Sequence, residues 1–200
     1  LNVLAKPFLI PWAARMAADF FLAAITPGEA LDEVQLQEIH EASKNAHRVK
    51  SEKAATIGTL THEFLENYIK ASIAGESVDS LKAPVNEKVK NGFDSFLSWV
   101  QKNDVHFLAS EQPVYSKKHR FAGTLDFECE IGEQLFIGDI KTSSGIYTEM
   151  PLQVAAYQIA REEELGKAYH GRIIVRVGKD DGEVEERMFL EHDKDKRAFI

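Results

Sequence analysis

The chain has 200 residues, 44% hydrophobic and 28% charged, a composition typical of a folded globular domain and not of a disordered or collagen-like chain. Its 24 basic and 32 acidic side chains give a formal net charge of −8, which argues against a nucleic-acid binder held mainly by overall charge. Its apolar stretches are too short to cross a bilayer and no basic-then-apolar leader is present, so we expect no membrane partner.

The first half of the chain, 1–104, is predicted to be mainly helical. Apolar residues recur there every three to four positions, the spacing that places them on one face of a helix. Pro11 near the start of the first helix and Pro27-Gly28 after it are typical helix boundaries, and Gly75 closes the third. We predict four helices, at 11–25, 29–49, 55–74 and 84–102.

The second half changes to the pattern of a sheet. β-branched and aromatic residues fill three segments separated by turn-like breaks, and these are predicted to form antiparallel strands at 105–115, 121–130 and 134–141. A helix follows at 150–165, ended by Gly166, and two more strands are predicted at 171–177 and 184–190. This order indicates an α/β (α+β) fold in which helices flank a sheet.

Two features concern the cysteine content and the chain ends. Cys129 is the only cysteine, so the chain can form neither an internal disulfide nor a thiolate zinc or iron–sulfur site. We expect it to be a small buried hydrophobic residue in a strand. The sequence begins at Leu1 rather than Met and stops at Ile200 in a segment that resembles an opening helix, so we expect both ends to be trimmed or continued.

Two short segments contain the side chains that suit phosphodiester chemistry. Asp139 and Lys141 are two apart in a predicted strand and therefore face the same way. If that strand pairs with the preceding one across the turn at 132–133, Asp126 can lie close to Asp139. Two carboxylates hold a hard divalent cation, and a lysine beside them can orient a nucleophile or neutralise developing negative charge. An isolated Asp-x-Lys triplet is nonetheless common, and the alternative interpretation is that Asp126 and Asp139 are turn or rim carboxylates and Lys141 is exposed.

Four further residues are candidates with an ordinary alternative. Glu111, in the first predicted strand, could join the carboxylates or be an exposed strand position. Gln153 and Tyr157 are four apart and share a helix face, but a helix that packs its tyrosine and leaves its glutamine at the edge has the same spacing. His62 lies on the third predicted helix, where a lone histidine is more often a surface or core residue than a metal ligand.

Basic side chains form two runs, at 44–53 and 117–120. Runs of this kind are usually solvated faces. Lys117, Lys118 and Arg120, in the predicted turn between the first two strands, are candidate contacts to a phosphate backbone.

Five motifs follow one another in an order that is specific even though each is weak alone. They are G-T-x-x-H-x-x-x-E at 58–66, the strand residue Glu111, G-x-x-D at 123–126, D-x-K at 139–141 and Q-x-x-x-Y at 153–157. With these motifs the chain resembles the PD-(D/E)XK nuclease superfamily, and within it the RecB-like exonuclease branch. The segment at 9–13, LIPWA, is also similar to phage-type members.

The resemblance implies a metal site. Asp126 and Asp139 would ligate Mg²⁺ or Mn²⁺, with further ligands from His62 and the backbone carbonyl of Ile140. Oxygen-rich ligation with one imidazole suits these ions better than structural zinc. Many RecB-like relatives also hold an iron–sulfur cluster through four cysteines, and the single Cys129 rules out such a cluster here.

The resemblance also implies catalytic roles. Glu111 would assist at the metal or position its water, and Lys141 would act on the attacking water or the scissile phosphate. Gln153 and Tyr157 would orient the DNA strand or the active-site lysine.

The implied fold is a restriction-endonuclease-like core with a mixed central β-sheet flanked by helices and a helical N-terminal portion. We interpret 1–200 as a single nuclease domain, in which 105–200 is the sheet-containing catalytic core. The implied function is a DNA exonuclease of phage or bacterial recombination or repair, acting in the cytoplasm, with other repair proteins as candidate partners. Two alternatives stay open: a catalytically inactive DNA-binding or assembly module on the same fold, and a restriction-type endonuclease.

Overall fold

The computed structural model describes residues 8–77 and 84–199, apart from the side chains of 192–194. The expectation that both chain ends are trimmed or continued concerns Leu1 and Ile200, which lie outside these residues. The elements of the described part are α1 (Leu9–Ala24), α2 (Glu33–Ala74), α3 (Glu87–Asn103), β1 (Val105–Ser116), β2 (Phe121–Ile131), β3 (Gln134–Lys141), α4 (Met150–Leu165), β4 (Gly171–Val177), β5 (Val184–Phe189) and α5 (His192–Phe199).

The chain divides into two compact units, Leu1–Ile57 and Gly58–Ile200. In the first unit, α1 runs beside the beginning of α2, and the ring of Trp12 meets His47 edge-on with centroids 6.5 Å apart. No residue of α1 is buried. The single nuclease domain inferred for 1–200 stays a prediction.

The prediction of two separate helices at 29–49 and 55–74 is wrong. One helix of 42 residues spans both. Residues 50–54 read Lys-Ser-Glu-Lys-Ala, with no glycine or proline to interrupt the backbone hydrogen bonds. The helix begins later than predicted, after Asp32, whose carboxylate accepts from the backbone N–H of Gln35 at 2.8 Å while the Gln35 side chain accepts from the Asp32 N–H at 2.9 Å. This reciprocal pair satisfies two N–H groups at the helix start.

The second unit contains a five-stranded mixed sheet in the order β1-β2-β3-β4-β5. All neighbours are antiparallel except β3 and β4, which run parallel because α4 crosses between them. The predicted α/β class and mixed sheet are confirmed. In residues 8–77 and 84–199, no helix combines the length and apolarity that a membrane crossing requires.

Two hydrophobic clusters lie on the two faces of this sheet. One, packed under α2 and α3, contains Leu65, Phe96, Phe127, Ile140 and neighbouring residues. The other, under α4, contains Val114, Leu125, Ile137, Val154 and their neighbours. Cys129 is fully buried in the first cluster, as predicted, and burial raises the pKa of its thiol. The sheet is therefore covered on both sides, and its polar groups are concentrated where β2 and β3 separate.

Candidate active site

Strands β2 and β3 separate where the two predicted aspartates lie. Their last backbone pair is Phe127–Gly138. One residue beyond it, Oδ2 of Asp126 accepts a hydrogen bond from the backbone N–H of Ile140 at 2.7 Å. Leu125 packs under α4 whereas Phe127 packs under α2 and α3, although residues two apart in a regular strand share a face. Strand β2 therefore changes its facing at Asp126, and the carboxylate replaces a strand partner.

Asp139 is the most deeply buried charged group of the site. Its side chain is 1% exposed, and Oδ2 lies 2.5 Å from Nζ of Lys141, which shares its strand face as predicted. Among the described residues, its Oδ1 atom has no hydrogen-bond partner. A buried carboxylate oxygen without a donor costs free energy unless a cation or another donor approaches it. This oxygen is therefore available to a ligand.

Burial and mutual repulsion shift the pKa values of the two aspartates. Burial, followed by the charge of Asp126, raises the pKa of Asp139 to about 7 against the lowering effect of Lys141. Burial also raises the pKa of Asp126 to about 6, against the lowering effects of the Ile140 hydrogen bond and Lys141. For Lys141, burial lowers the pKa but the Asp139 carboxylate outweighs it, so the net pKa is raised. Strongly perturbed carboxyls beside a lysine are typical of functional sites.

Helix α4 supplies two residues that hold this lysine. Oε1 of Gln153 accepts from Nζ of Lys141 at 3.3 Å, and Nε2 of Gln153 donates to the hydroxyl of Tyr157 at 2.7 Å. The shared face predicted for Gln153 and Tyr157 is confirmed. Gly123 on β2 allows this packing, since a Cβ atom there would lie 2.6 Å from Cε1 of Tyr157. The glycine of the G-x-x-D segment is therefore explained by the close approach of the tyrosine ring.

Helix α2 brings His62 to the other carboxylate. Nδ1 of His62 lies 3.9 Å from Oδ2 of Asp126. Burial, together with the positive charge of Lys141, lowers the pKa of His62 below 6.5, so the imidazole is neutral at pH 7 and keeps a lone pair. Gly58, one turn earlier on the helix, lets α2 approach the end of β3, because a Cβ atom there would lie 3.0 Å from Oγ1 of Thr142.

Glu111 on β1 and Asp126 on β2 lie between the paired positions Ser110–Phe127 and Gln112–Leu125 and are not themselves a backbone pair. Its backbone has a φ of +48°, in the left-handed region, which costs a non-glycine residue roughly 1 kcal/mol. Its side chain is exposed at the edge of the site. Burial of its carboxyl group and the neighbouring Glu66 raise its pKa. Glu111 is thus brought near the carboxylate pair but is not enclosed with it.

Sequence analysis placed Glu66 in the motif at 58–66 without giving it a role, and it named neither Lys70 nor Lys179, which also lie near the site. Glu66 contributes to the raised pKa of Asp126 and forms an ion pair with Lys70. Lys179, in the turn between β4 and β5, contributes to the lowered pKa of His62. The four-residue spacing of His62, Glu66 and Lys70 was an available signal, because such residues share a helix face. Lys179 had none, since it is far from α2 in the sequence.

The donor set fits a hard divalent cation. Nowhere in residues 8–77 and 84–199 do three His, Cys, Asp or Glu side chains lie close enough to enclose a metal ion by themselves. Mg²⁺ usually needs only one or two protein carboxylates, because water and substrate phosphates complete its shell. Asp126 and Asp139 supply two, one with an unpartnered oxygen. The roles predicted for His62 and for the carbonyl of Ile140 as ligands stay predictions.

The basic side chains of 117–120 lie apart from the carboxylates. Lys117, Lys118 and Arg120 are exposed in the turn that joins β1 to β2, and Arg120 precedes Asp126 by six residues. They are therefore not part of the carboxylate site itself.

Comparison with known proteins identifies no relative of this chain. The chain matches no protein-family model, and no curated protein matches it.

Proposed function

We propose that this chain is a metal-dependent DNA nuclease with a restriction-endonuclease-like core of the RecB-like PD-(D/E)XK type. The observation that carries the proposal is the pair formed by the buried Asp139 and the partly buried Asp126 beside Lys141, at the point where β2 and β3 separate. Two neighbouring carboxyls with raised pKa values, one of them buried with an unpartnered oxygen, destabilise a fold. Such an arrangement is expected where a site binds a cation and a substrate.

The residues divide the chemistry among them. Mg²⁺ or Mn²⁺ held by Asp126 and Asp139 would neutralise phosphate charge and lower the pKa of a water molecule. The ammonium group of Lys141, held by Gln153, can donate to a phosphate oxygen or to the attacking water and so offset the negative charge of the transition state. Tyr157 fixes Gln153 in turn, so the lysine is oriented before substrate binds.

The neutral imidazole of His62 lies where it can serve as a further ligand or accept a proton beside Asp126. Glu111, whose charge contributes to the raised pKa of Asp126, can position water from the exposed side of the site. The motif order of the sequence supports DNA as the substrate and an exonuclease as the activity, in phage or bacterial recombination or repair, with a cytoplasmic location.

Cleavage of end-labelled linear DNA and covalently closed circular DNA tests the proposal. Each substrate is incubated with Mg²⁺, Mn²⁺ or EDTA and with wild type, Asp139→Asn or Lys141→Met. Asp104→Asn and Lys102→Met are matched controls on exposed positions. Asp104 has a left-handed backbone, with a φ of +48°, that asparagine tolerates well.

We expect metal-dependent loss of the linear DNA, abolished by both site substitutions and unchanged in both controls. Cutting of the circular DNA would show that the same site belongs to an endonuclease rather than to an exonuclease. DNA binding without cutting under every metal condition would overturn the nuclease and leave a DNA-binding module.

A further inference from the structure

A carboxylate from α4 orders the turn between β1 and β2. We call residues 117–120 the basic turn. Both lysine N–H groups of this turn donate to Oε1 of Glu163, Lys117 at 2.9 Å and Lys118 at 3.1 Å. The hydroxyl of Ser116 donates to the other oxygen, Oε2, at 2.5 Å. Glu163 therefore contacts the backbone of the turn rather than its ammonium groups, which stay exposed.

The same contacts fix the conformation of the turn. The Ser116 hydroxyl oxygen also accepts from the N–H of His119 at 3.0 Å, and the Ser116 carbonyl accepts from the N–H of Arg120 at 2.8 Å. The hydrogen bond from Ser116, followed by those from the two lysine N–H groups, lowers the pKa of Glu163, so Glu163 is an anion at neutral pH. Hydrogen bonds to a charged acceptor are stronger than neutral ones. The basic turn thus has a defined shape although its side chains are in solvent.

The basic turn lies at a definite distance from the carboxylates. Strand β2 pairs with β3 only from Phe127 onward, whereas its pairing with β1 continues back to Phe121, so the hairpin extends beyond β3. Arg120 precedes Asp126 by six residues. At about 3.3 Å per strand residue this separation is roughly 20 Å. Phosphates of one DNA strand advance about 3.4 Å each along the helix axis, so 20 Å corresponds to about six nucleotides.

Helix α4 links the two places. Gln153 holds Lys141 of the active site and Glu163, ten residues later, holds the basic turn. At about 1.5 Å per residue the helix spans about 15 Å between them. One rigid element therefore sets the position of the turn relative to the site.

We propose that the basic turn binds the DNA phosphate backbone about six nucleotides from the scissile phosphate, and that Glu163 is its positioning residue. This inference rests on the proposed function and adds to it a requirement for substrate length. The chain carries a net charge of −8, so attraction to DNA must come from local groups of cations. DNA too short to reach from the carboxylates to the turn loses these contacts.

The first experiment measures the contribution of the lysines. Hairpin-capped duplexes with stems of about 5, 10 and 20 base pairs are used for binding in EDTA, followed by fluorescence anisotropy over a range of salt, and for kcat/KM with Mg²⁺. Lys117→Ala/Lys118→Ala is compared with Lys90→Ala/Lys102→Ala, which removes the same charge from exposed positions of α3.

For the longest duplex, we expect the basic-turn variant to raise Kd on the order of tenfold and to reduce the salt slope by about two, since each phosphate contact contributes about 0.9. Its kcat/KM falls for the longer duplexes and stays at the wild-type value for the shortest. The α3 variant behaves as wild type. An equal loss of kcat/KM at every duplex length would contradict the separation of about six nucleotides between the turn and the scissile phosphate. Unchanged DNA affinity and salt slope would show that the basic turn does not contact DNA.

The second experiment separates positioning from charge. Glu163→Ala and Glu133→Ala each remove one exposed negative charge, and Glu133 lies in the turn between β2 and β3. Charge alone predicts that both variants bind DNA as tightly as wild type or more tightly. Because Glu163→Ala also removes the three hydrogen bonds that order the basic turn, we expect it to bind several-fold more weakly, with a thermal midpoint lowered by a few °C but still well above the assay temperature. Tighter binding by both variants would overturn the positioning role.

The outcomes also separate this inference from the nuclease proposal. If wild type cuts DNA and Lys117→Ala/Lys118→Ala binds DNA as wild type does, the basic turn is not a DNA contact and the nuclease proposal stands. If wild type does not cut DNA but the variant binds DNA more weakly than wild type, the nuclease proposal is wrong and the basic turn is still a DNA contact.

Discussion

Replacing Asp139 by asparagine is expected to stabilise the metal-free protein while it abolishes cleavage. The carboxyl is 1% exposed and its pKa rises from 3.8 to about 7 on folding. Between these pH values the folded chain holds a proton that the unfolded chain releases, so stability falls as pH rises through this window. A shift of about three pKa units corresponds to roughly 4 kcal/mol of destabilisation above pH 7.

Asparagine removes this charge, and the attraction of the Lys141 ammonium group is already included in the pKa of about 7. We therefore expect a net stabilisation of up to about 4 kcal/mol at pH 8, or a thermal midpoint raised by up to about 8–16 °C for a chain of this size. At pH 4, where the wild-type carboxyl is protonated, the difference nearly disappears.

Thermal unfolding in EDTA at pH 4 and pH 8, and again at pH 8 with Mg²⁺, measures each part of this argument. Wild type should gain stability from Mg²⁺, because a cation that binds only the folded state stabilises it, and Asp139→Asn should gain little. Asp104→Asn serves as the control. A less stable Asp139→Asn in EDTA at pH 8, or a stability difference that does not depend on pH, would show that the Asp139 charge does not destabilise the metal-free fold.

Three further predictions concern single positions. Lys141→Met should lower kcat by at least about a hundredfold with little change in DNA affinity, which single-turnover kinetics and anisotropy would separate; a change confined to affinity would contradict its role. Gly138→Ala should destabilise the fold by about 2 kcal/mol or more, measured by urea unfolding, because the new Cβ would lie 1.9 Å from Cζ of the buried Phe127; a wild-type midpoint would contradict this packing. Arg161→Met should cost about 3 kcal/mol, since it leaves the buried Glu128 carboxylate without its 2.6 Å partner, and pairing it with Glu128→Gln in a double-mutant cycle should recover much of that loss.

Much of the local structure follows from the sequence. Strands β3 and β4 and helix α4 agree with their predicted positions, because strand alternation, helical spacing and a terminal glycine such as Gly166 are properties of neighbouring residues. The common strand face of Asp139 and Lys141 and the common helix face of Gln153 and Tyr157 follow from the same geometry. Where local signals were weak, as across residues 50–54, the prediction introduced a break that the structure lacks.

Only the tertiary structure decided the properties of the site. The change of facing at Asp126, the buried and unpartnered oxygen of Asp139 and the raised pKa values of both depend on residues brought together from different strands and helices. The hydrogen bonds from Lys117 and Lys118 to Glu163 connect residues that are 46 and 45 positions apart in the sequence. The sequence determined which residue types occur at which spacing. Their burial and their charged neighbours, which control cation affinity and proton binding, arise only from the packing of α2 and α4 on the sheet, because electrostatic energies depend on distance and on the exclusion of water.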